Sequence, residues 1–304
     1  IHSDSANFRY NRSRGLMNRL AFTLVFAALL LSWTTPGSAQ PPLPKPDHVV
    51  IVIEENHAFG QTIDSPAAPY LNALARKGAL LTHSYAVTHP SQPNYIALFA
   101  GTFEGVNGNV CPMSLTGPNL SSTLAQAGQS FIGYSEDLPA VGAVDCIAGA
   151  YARKHNPWVN WQSSSANTVP AAQNRPLSDF PTDFSTLPTV SIIVPNQQND
   201  MHDGSDPDRI QRGDQWLQAR LERYVDWAQT HNSLLIITWD EDNGKSENHI
   251  PTILVGPMVR AGRYPEQTNH YGLLRTVTDM YDAQPVGLSR QASPLTTMWA
   301  TPKP

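Results

Sequence analysis

The chain has 304 residues, of which 40% are hydrophobic and 15% are charged, and its formal net charge at pH 7 is −5. That length is ample for one globular core and short for two independent domains, and the composition excludes a collagen-like or disordered chain. The excess of acidic residues argues against nucleic-acid binding, because the phosphate backbone attracts basic surfaces.

The first 39 residues have the pattern of an export signal. Four arginines precede an apolar run over residues 20–33, and small residues stand at Gly37 and Ala39. This order predicts a cleaved secretory signal peptide, and an uncleaved membrane anchor is the alternative. The run is short for a membrane-spanning helix. Cleavage removes four of the 20 basic and one of the 25 acidic residues, which leaves a net charge of −8.

Three segments follow from this pattern. We predict upstream residues and a signal peptide over 1–39, a Pro-rich linker over 40–47 and a single domain over 48–304. The protein is then secreted or periplasmic, with no stable membrane span after cleavage.

The only cysteines in the sequence are Cys111 and Cys146. In an exported chain such a pair favours one disulfide bond, and two free buried thiols are the alternative.

Strands and helices alternate along the predicted domain. Short apolar runs predict strands over residues 48–53, 79–87, 131–134, 189–194, 233–238 and 250–255. Apolar spacing and terminal Pro or Gly residues predict helices over residues 69–77, 95–100, 210–229 and 271–281. The segment 102–185 is otherwise loop-rich. This alternation predicts an α/β fold with a mostly parallel sheet and helices on both faces.

Polar residues follow several of these strands. Glu55 and Asn56 end the first strand, Ser91 follows the second, and Asn196 and the pair Asp240–Glu241 follow two later strands. Open α/β sheets place their functional sites at the carboxyl ends of the strands. We therefore expect these residues to gather along one edge of the sheet.

The acidic residues at this edge suggest a metal site. Carboxylates are costly to bury without a partner, and a divalent cation offsets that cost. Oxygen ligands favour Mg²⁺, Ca²⁺ or Mn²⁺. Solvated loop residues are the alternative, and the pattern alone does not decide between the two.

Ser91 and three histidines are candidates for the chemistry. A serine before a helix can hold its hydroxyl beside a phosphate bound at the helix N-terminus, and a metal would activate it for attack. A simple helix cap is the alternative for Ser91. His155, His202 and His270 stand in polar loops and not in core positions, so each could donate a proton or lie at the surface. The sequence contains no Walker A, GxGxxG or GxSxG motif, which argues against P-loop and α/β-hydrolase enzymes.

In their combination and order, four segments resemble the phosphoesterase family. This family includes bacterial secreted acid phosphatases and phospholipases C and belongs to the alkaline phosphatase superfamily. The segments are residues 48–56, 88–95, 199–203 and 239–242. The resemblance implies a three-layer α/β/α sandwich and a bound divalent metal ion, Mg, Ca, Mn or Zn, at one tight site.

The resemblance also implies roles for individual residues. Ser91 matches the nucleophile, which also contacts the metal. The other positions that match metal ligands are Glu55, Asn56, Asp240 and Glu241.

The remaining matches lie around that centre. His202 and His155 match active-site histidines, and Asn109 matches a phosphate-binding asparagine. Asp200 and His270 are candidates for a second metal site or for support of the first. Asn196 stands where a complete second site would have an aspartate.

The resemblance implies a secreted, metal-dependent acid phosphatase that hydrolyses phosphate monoesters through a phosphoserine intermediate. The alternative is a phospholipase C or phosphodiesterase that acts on phospholipid diesters. The expected substrate is a small phosphorylated molecule, such as a phosphoinositide or a sugar phosphate. A non-catalytic binding protein is a further alternative. A sulfatase is not favoured, because Ser91–Tyr95 lacks the arginine of the sulfatase motif.

Overall fold

The computed structural model describes residues 42–301. The predicted signal peptide over 1–39 lies outside the described residues. Residues 42–47, the described part of the predicted linker, have no regular secondary structure. They nevertheless contact the folded domain, because Pro46 is buried and its carbonyl accepts a hydrogen bond from the hydroxyl of Tyr281, directly after residue 280, at 2.9 Å. No helix in this part of the chain has both the length and the apolar character needed to cross a bilayer.

Eight strands form one central sheet, and two further short strands form a hairpin. In chain order the strands are β1 His48–Glu54, β2 Ala79–Tyr85, β3 Phe131–Ser135, β4 Ile147–Ala148, β5 Tyr151–Ala152, β6 Asn174–Pro176, β7 Val190–Val194, β8 Ser233–Trp239, β9 Thr252–Val255 and β10 Gly262–Asn269. The order across the sheet is β10-β2-β9-β8-β1-β7-β3-β6, and β4 pairs with β5. β9 runs antiparallel to β2 and β8, whereas the other pairings in the sheet are parallel.

Helices cover both faces of this sheet. They are α1 Phe59–Thr62, α2 Pro69–Lys77, α3 Ser91–Ala100, α4 Leu120–Gln126, α5 Asp208–Ala228 and α6 His270–Met280. Alternate residues of β1 face opposite sides, so Val49 and Ile51 pack with α3, α4 and α6, whereas Val50 and Val52 pack with α2 and α5. Both faces of the strand are therefore apolar, as expected for a central parallel strand. The predicted three-layer α/β/α sandwich with a mostly parallel sheet is confirmed.

Several element boundaries differ from the prediction. The helix predicted over 95–100 begins four residues earlier, at Ser91. α4 was not predicted, because it is short, although Asn119 caps it by accepting from the Ser122 N–H at 3.0 Å. β10 was also missed, since it lies at the sheet edge and its residues are mostly polar and exposed. The apolar face predicted for α5, with Leu217 and Leu221, is buried.

A disulfide bond joins Cys111 to Cys146 and confirms the predicted pairing. It connects the loop after α3 to the loop before the β4–β5 hairpin, across a sequence separation of 35 residues. Arg153, which directly follows β5, donates hydrogen bonds to the carbonyls of Met113 and Val144. The two loops are thus held together by one covalent bond and one buried guanidinium group.

Both ends of the described chain lie at the amino edge of the sheet, where the parallel strands begin. The Asp47 N–H donates to the Asn232 carbonyl at 2.6 Å, one residue before β8. Residues 42–45 and 300–301 line the same cavity. The carboxyl edge, where polar residues follow the strands, is the opposite edge.

Candidate active site

The buried carboxylates of the candidate site follow two adjacent parallel strands. Glu54 of β1 and Trp239 of β8 are partners in the register, and the Asp240 N–H donates to the Glu54 carbonyl at 3.0 Å. The chain therefore leaves both strands at the same level. This places Glu55, fully buried, beside the buried pair Asp240–Glu241.

Ser91 is the first residue of α3, and its side chain is buried at this edge. Its hydroxyl lies 3.3 Å from Glu55 Oε2 and 3.1 Å from Glu241 Oε1. Pro90 occupies the N-cap position, and no side chain caps this helix. The Ser91 hydroxyl therefore points to the carboxylates and not back to the helix backbone.

Tyr95 and His155 contact the other side of Glu55. The Tyr95 hydroxyl donates to Glu55 Oε1 at 2.7 Å, one helical turn beyond Ser91 on α3. The His155 ring stacks on Tyr95 with 5.2 Å between the centroids, and its Nε2 lies 2.9 Å from Glu55 Oε1. That close approach lacks hydrogen-bond geometry, since Nε2 is among the buried atoms without a hydrogen-bond partner. It is an electrostatic contact.

Asp200 connects the two histidines of the site. Its Oδ2 lies 3.3 Å from His155 Nδ1, and its Oδ1 accepts from the His202 backbone N–H at 2.8 Å. Its carbonyl also accepts from the Glu55 N–H at 2.8 Å, so the loop after β7 is fastened to the end of β1. His202 has a 28% exposed side chain and marks the open side of the site.

The charges of these groups depend on one another. Burial alone would raise the pKa of Glu55, but its contacts with His155 and Tyr95 lower that pKa to about 2. Burial disfavours the charged form of His155, but the carboxylates of Glu55 and Asp200 raise its pKa to about 9. Burial raises the pKa of Asp200 to about 6. It also raises the pKa of Asp240 well above the usual range, with a further contribution from the charges of Glu55 and Glu241.

This arrangement fits a bound cation. Asp240 Oδ2 and Asp200 Oδ2 are buried carboxylate oxygens without a hydrogen-bond partner. A positive ion would satisfy such atoms and offset the cost of burying several carboxylates together. The ligand atoms of Glu55, His155 and His202 all lie within 4.8 Å of one another. Of the predicted metal ligands, only Glu55 belongs to that group, and imidazole ligands widen the choice of ion toward Zn²⁺.

Comparison with known proteins gives the family of the chain. The model of the Phosphoesterase family matches residues 62–284. The chain belongs to this family. It is 47% identical over 280 residues to the phosphatidylinositol-3-phosphatase of Mycobacterium tuberculosis, with 90% of this chain and 91% of that relative covered. As a phosphoesterase, the chain is a hydrolase of phosphoric ester bonds.

More distant relatives agree on the family and the fold. The phosphoesterase is 30% identical over 236 residues to the acid phosphatase of Aspergillus fumigatus, covering 71% of this chain and about half of that relative, 51%. A solved structure from Vibrio parahaemolyticus in the alkaline phosphatase superfamily superposes with a TM-score of 0.59 at 14% identity. The match covers 80% of this chain and 68% of that one. The phosphoesterase therefore has the alkaline phosphatase superfamily fold.

The remaining predicted residues lie around this centre. The Asn56 N–H donates to Asp240 Oδ1 at 3.2 Å. Asn109 Oδ1 accepts from the Gln92 N–H at 3.1 Å, so this side chain lies beside Ser91 at the start of α3. His270 Nε2 lies 2.6 Å from the Asp240 carbonyl, so this histidine contacts the backbone of an acidic residue.

Two expectations for polar residues need correction. His155 and His270 are buried, although both stand in sequence segments typical of exposed loops. Carboxylates and a carbonyl surround them and replace the water that a loop histidine would contact. Asn196 follows β7 at the expected edge, but its side chain contacts Asp137 and the backbone of its own loop and not the acidic cluster.

The structure adds three residues that sequence analysis did not single out. Tyr95 contacts Glu55, and its signal was its position four residues after Ser91 on one helix face. His89 lies with Nδ1 2.7 Å from Glu241 Oε2 and with 43% of its side chain exposed. Lys154 Nζ lies 3.5 Å from His202 Nε2. No sequence pattern predicts that Lys154 lies at this site, because its partner His202 is positioned by the path of the loop after β7.

Proposed function

We propose that this phosphoesterase hydrolyses phosphate monoesters by attack of Ser91 Oγ on phosphorus. The observation that carries the proposal is the Ser91 hydroxyl itself, within 3.3 Å of two buried carboxylates at the first residue of α3. A hydroxyl held there has acceptors for its proton, and the N-terminal end of the helix favours the negative charge of a phosphate.

Glu55, Asp240 and Glu241, together with the Ser91 oxygen, would hold one divalent cation. Such an ion would lower the pKa of the Ser91 hydroxyl and offset the charge that develops on the phosphoryl oxygens. The buried Asp240 Oδ2 without a hydrogen-bond partner supports this position. An ion in this position would lie on the Ser91 side of Glu55 and would not use His202 as a ligand. His202 could then donate a proton to the leaving group.

The protein residues account for each bond and proton. The Ser91 Oγ–P bond forms and the P–O bond to the leaving alcohol breaks. The Ser91 proton passes to Glu241 and then to His89, whose half-exposed ring leads to solvent. His202 gives a proton to the leaving alkoxide. In the second step a water oxygen forms a bond to phosphorus and the Ser91 Oγ–P bond breaks. His202 takes the water proton, and Ser91 Oγ regains a proton through Glu241 and His89, which releases phosphate and restores the enzyme.

His202 suits the acid role better than His155 does. The His155 ring is buried between Glu55 and Asp200, whereas His202 is partly exposed, with Asp203 Oδ1 2.7 Å from its Nδ1. A histidine acid favours turnover at acidic pH, as expected for an acid phosphatase. The name of the M. tuberculosis relative supports a phosphoinositide headgroup as the substrate, and the signal peptide predicted over residues 1–39 supports action outside the cytoplasm.

The first test measures hydrolysis of p-nitrophenyl phosphate and bis-p-nitrophenyl phosphate, with and without a chelator. We expect fast, chelator-sensitive turnover of the monoester and a loss of on the order of 10³-fold or more in Ser91→Ala. The matched control is Ser191→Ala, since the Ser191 hydroxyl is buried in β7 without a partner. Near-normal turnover in Ser91→Ala would exclude the proposed nucleophile, and diester-only turnover would favour a phospholipase C.

A second test separates the two possible roles of His202. An acid matters most for a poor leaving group, so His202→Ala should slow an alkyl phosphate about tenfold more than p-nitrophenyl phosphate. The variant should keep its bound metal. Loss of metal together with equal loss on both substrates would instead make His202 a ligand, as its distance to Glu55 and His155 allows.

A further inference from the structure

Large apolar side chains are exposed at few positions in residues 42–301, and most of these positions belong to two segments that a disulfide bond joins. Five such residues are at least 45% exposed, namely Val110, Val141, Val144, Ile147 and Leu288. The first four belong to two loop segments, residues 105–118 and residues 139–150 with the short strand β4, which the Cys111–Cys146 disulfide joins. We call Val110, Val141, Val144 and Ile147 the rim surface.

The two loops that carry the rim surface are almost uncharged. Asp145 is the only charged side chain within residues 105–118 and 139–150. Exposed loops of a soluble protein are usually rich in charge, and clustered exposed apolar side chains mark an interaction site. The folded chain keeps these residues in solvent although other apolar residues of the same chain are buried.

The rim surface lies beside the candidate active site. The Val110 N–H and carbonyl exchange hydrogen bonds of 2.6 and 3.0 Å with the side chain of Gln92, the residue after Ser91. On the other flank, the Ala150 carbonyl accepts from the Gln197 N–H at 3.0 Å, in the loop that carries Asp200 and His202. Both flanks of the site are thus fastened to the exposed apolar loops.

We propose that the rim surface docks the enzyme on a lipid bilayer, with the site facing the headgroups. Its four residues are aliphatic and lack the Tyr, Trp and Arg anchors that dominate protein interfaces. Acyl chains require apolar area without directional partners, which these side chains provide. The inference rests on the proposed function, because a phosphoinositide presents its phosphate at a membrane surface.

The test compares two substrates for each variant. Rates are measured on phosphatidylinositol 3-phosphate in phosphatidylcholine vesicles and on soluble p-nitrophenyl phosphate. A charge in the rim surface should weaken docking, so Val144→Glu/Ile147→Glu should lower the vesicle rate roughly tenfold or more and leave the soluble rate within about twofold. Leu288→Glu is the matched control, since its N–H contacts Gly101 at the far end of α3 from Ser91, and both its rates should stay unchanged.

Flotation of each variant with phosphatidylcholine vesicles reports docking without catalysis. Wild type and Leu288→Glu should float with the vesicles, and the double variant should not. Equal flotation of all three proteins, or an equal loss on both substrates, would overturn the docking surface. A change in sedimentation velocity without a vesicle effect would also overturn it and indicate contact between copies of the chain. If wild type floats but hydrolyses no monoester, the proposed function fails and the docking surface stands.

Discussion

Glu54 and Glu55 are consecutive, fully buried residues at the end of β1, and they differ in almost every other respect. Neither oxygen of Glu54 has a hydrogen-bond partner, and burial together with the charge of Asp200 raises its pKa well above the usual range. Glu55 receives a hydrogen bond from Tyr95, contacts His155 and has a pKa of about 2. Burial thus favours the neutral form of Glu54, whereas the partners of Glu55 favour its charged form.

The alternation of a strand produces this difference. The Glu54 side chain lies on the same face of β1 as Val50 and Val52, the face that packs against α5. The charged groups that act on it there are all acidic, and they include Asp214 of α5. Glu55 leaves the strand at the carboxyl edge, where Ser91, Tyr95 and His155 arrive from other elements. Burial alone favours the neutral form of a carboxyl group, and specific partners, a bound cation among them, favour the charged form.

The largest expected effect comes from Glu55→Gln. The change removes a charge that contacts Ser91 and His155, so we expect loss of the bound divalent ion and a fall in turnover of about 10³-fold. Metal content by mass spectrometry and turnover of p-nitrophenyl phosphate are the two measurements. A variant that keeps both would show that Glu55 serves only the fold.

A smaller effect is expected from Asp200→Asn, which removes a charge that acts on both glutamates. Asn keeps the acceptor for the His202 N–H but presents an NH₂ group or a neutral oxygen to His155. Misplaced histidines should lower turnover roughly 10–100-fold with the fold intact. Circular dichroism checks the fold, and an unchanged rate would mean that Asp200 does not position the histidines.

The smallest effect on activity is expected from Glu54→Gln, the matched control for Glu55→Gln. A neutral amide replaces a carboxyl group whose neutral form is favoured by burial, so turnover should stay within about twofold of wild type. The free energy of unfolding at pH 7 should rise, because the wild-type carboxyl must take up a proton to fold. Urea unfolding measures this. A destabilised or inactive variant would contradict the neutral state of Glu54.

The sequence predicted most of the fold because its central strands are apolar on both faces. β1 and β8 read as short apolar runs and are buried throughout except at His48. β10 could not be found in this way, because its residues alternate between exposed and partly buried at the sheet edge. Its pairing with β2 depends on the folded sheet and leaves no apolar pattern.

The candidate site was predictable where residues directly follow strands. Glu55, Ser91, Asp240 and Glu241 meet at one edge because parallel strands end together. The positions of His155 and His202 depend on the loops after β5 and β7, whose paths no sequence period encodes. Whether the carboxylates or the histidines hold a cation was therefore beyond prediction from the sequence.

The amino edge of the sheet has a practical meaning for handling the enzyme. Residues 42–45 and 300–301 share one cavity there, and the carboxylates of the site lie at the other edge. A resin or fusion partner attached near either position would leave the candidate active site, at the carboxyl edge of the sheet, exposed to solvent. An enzyme immobilised in this orientation should remain accessible to vesicles as well as to soluble esters.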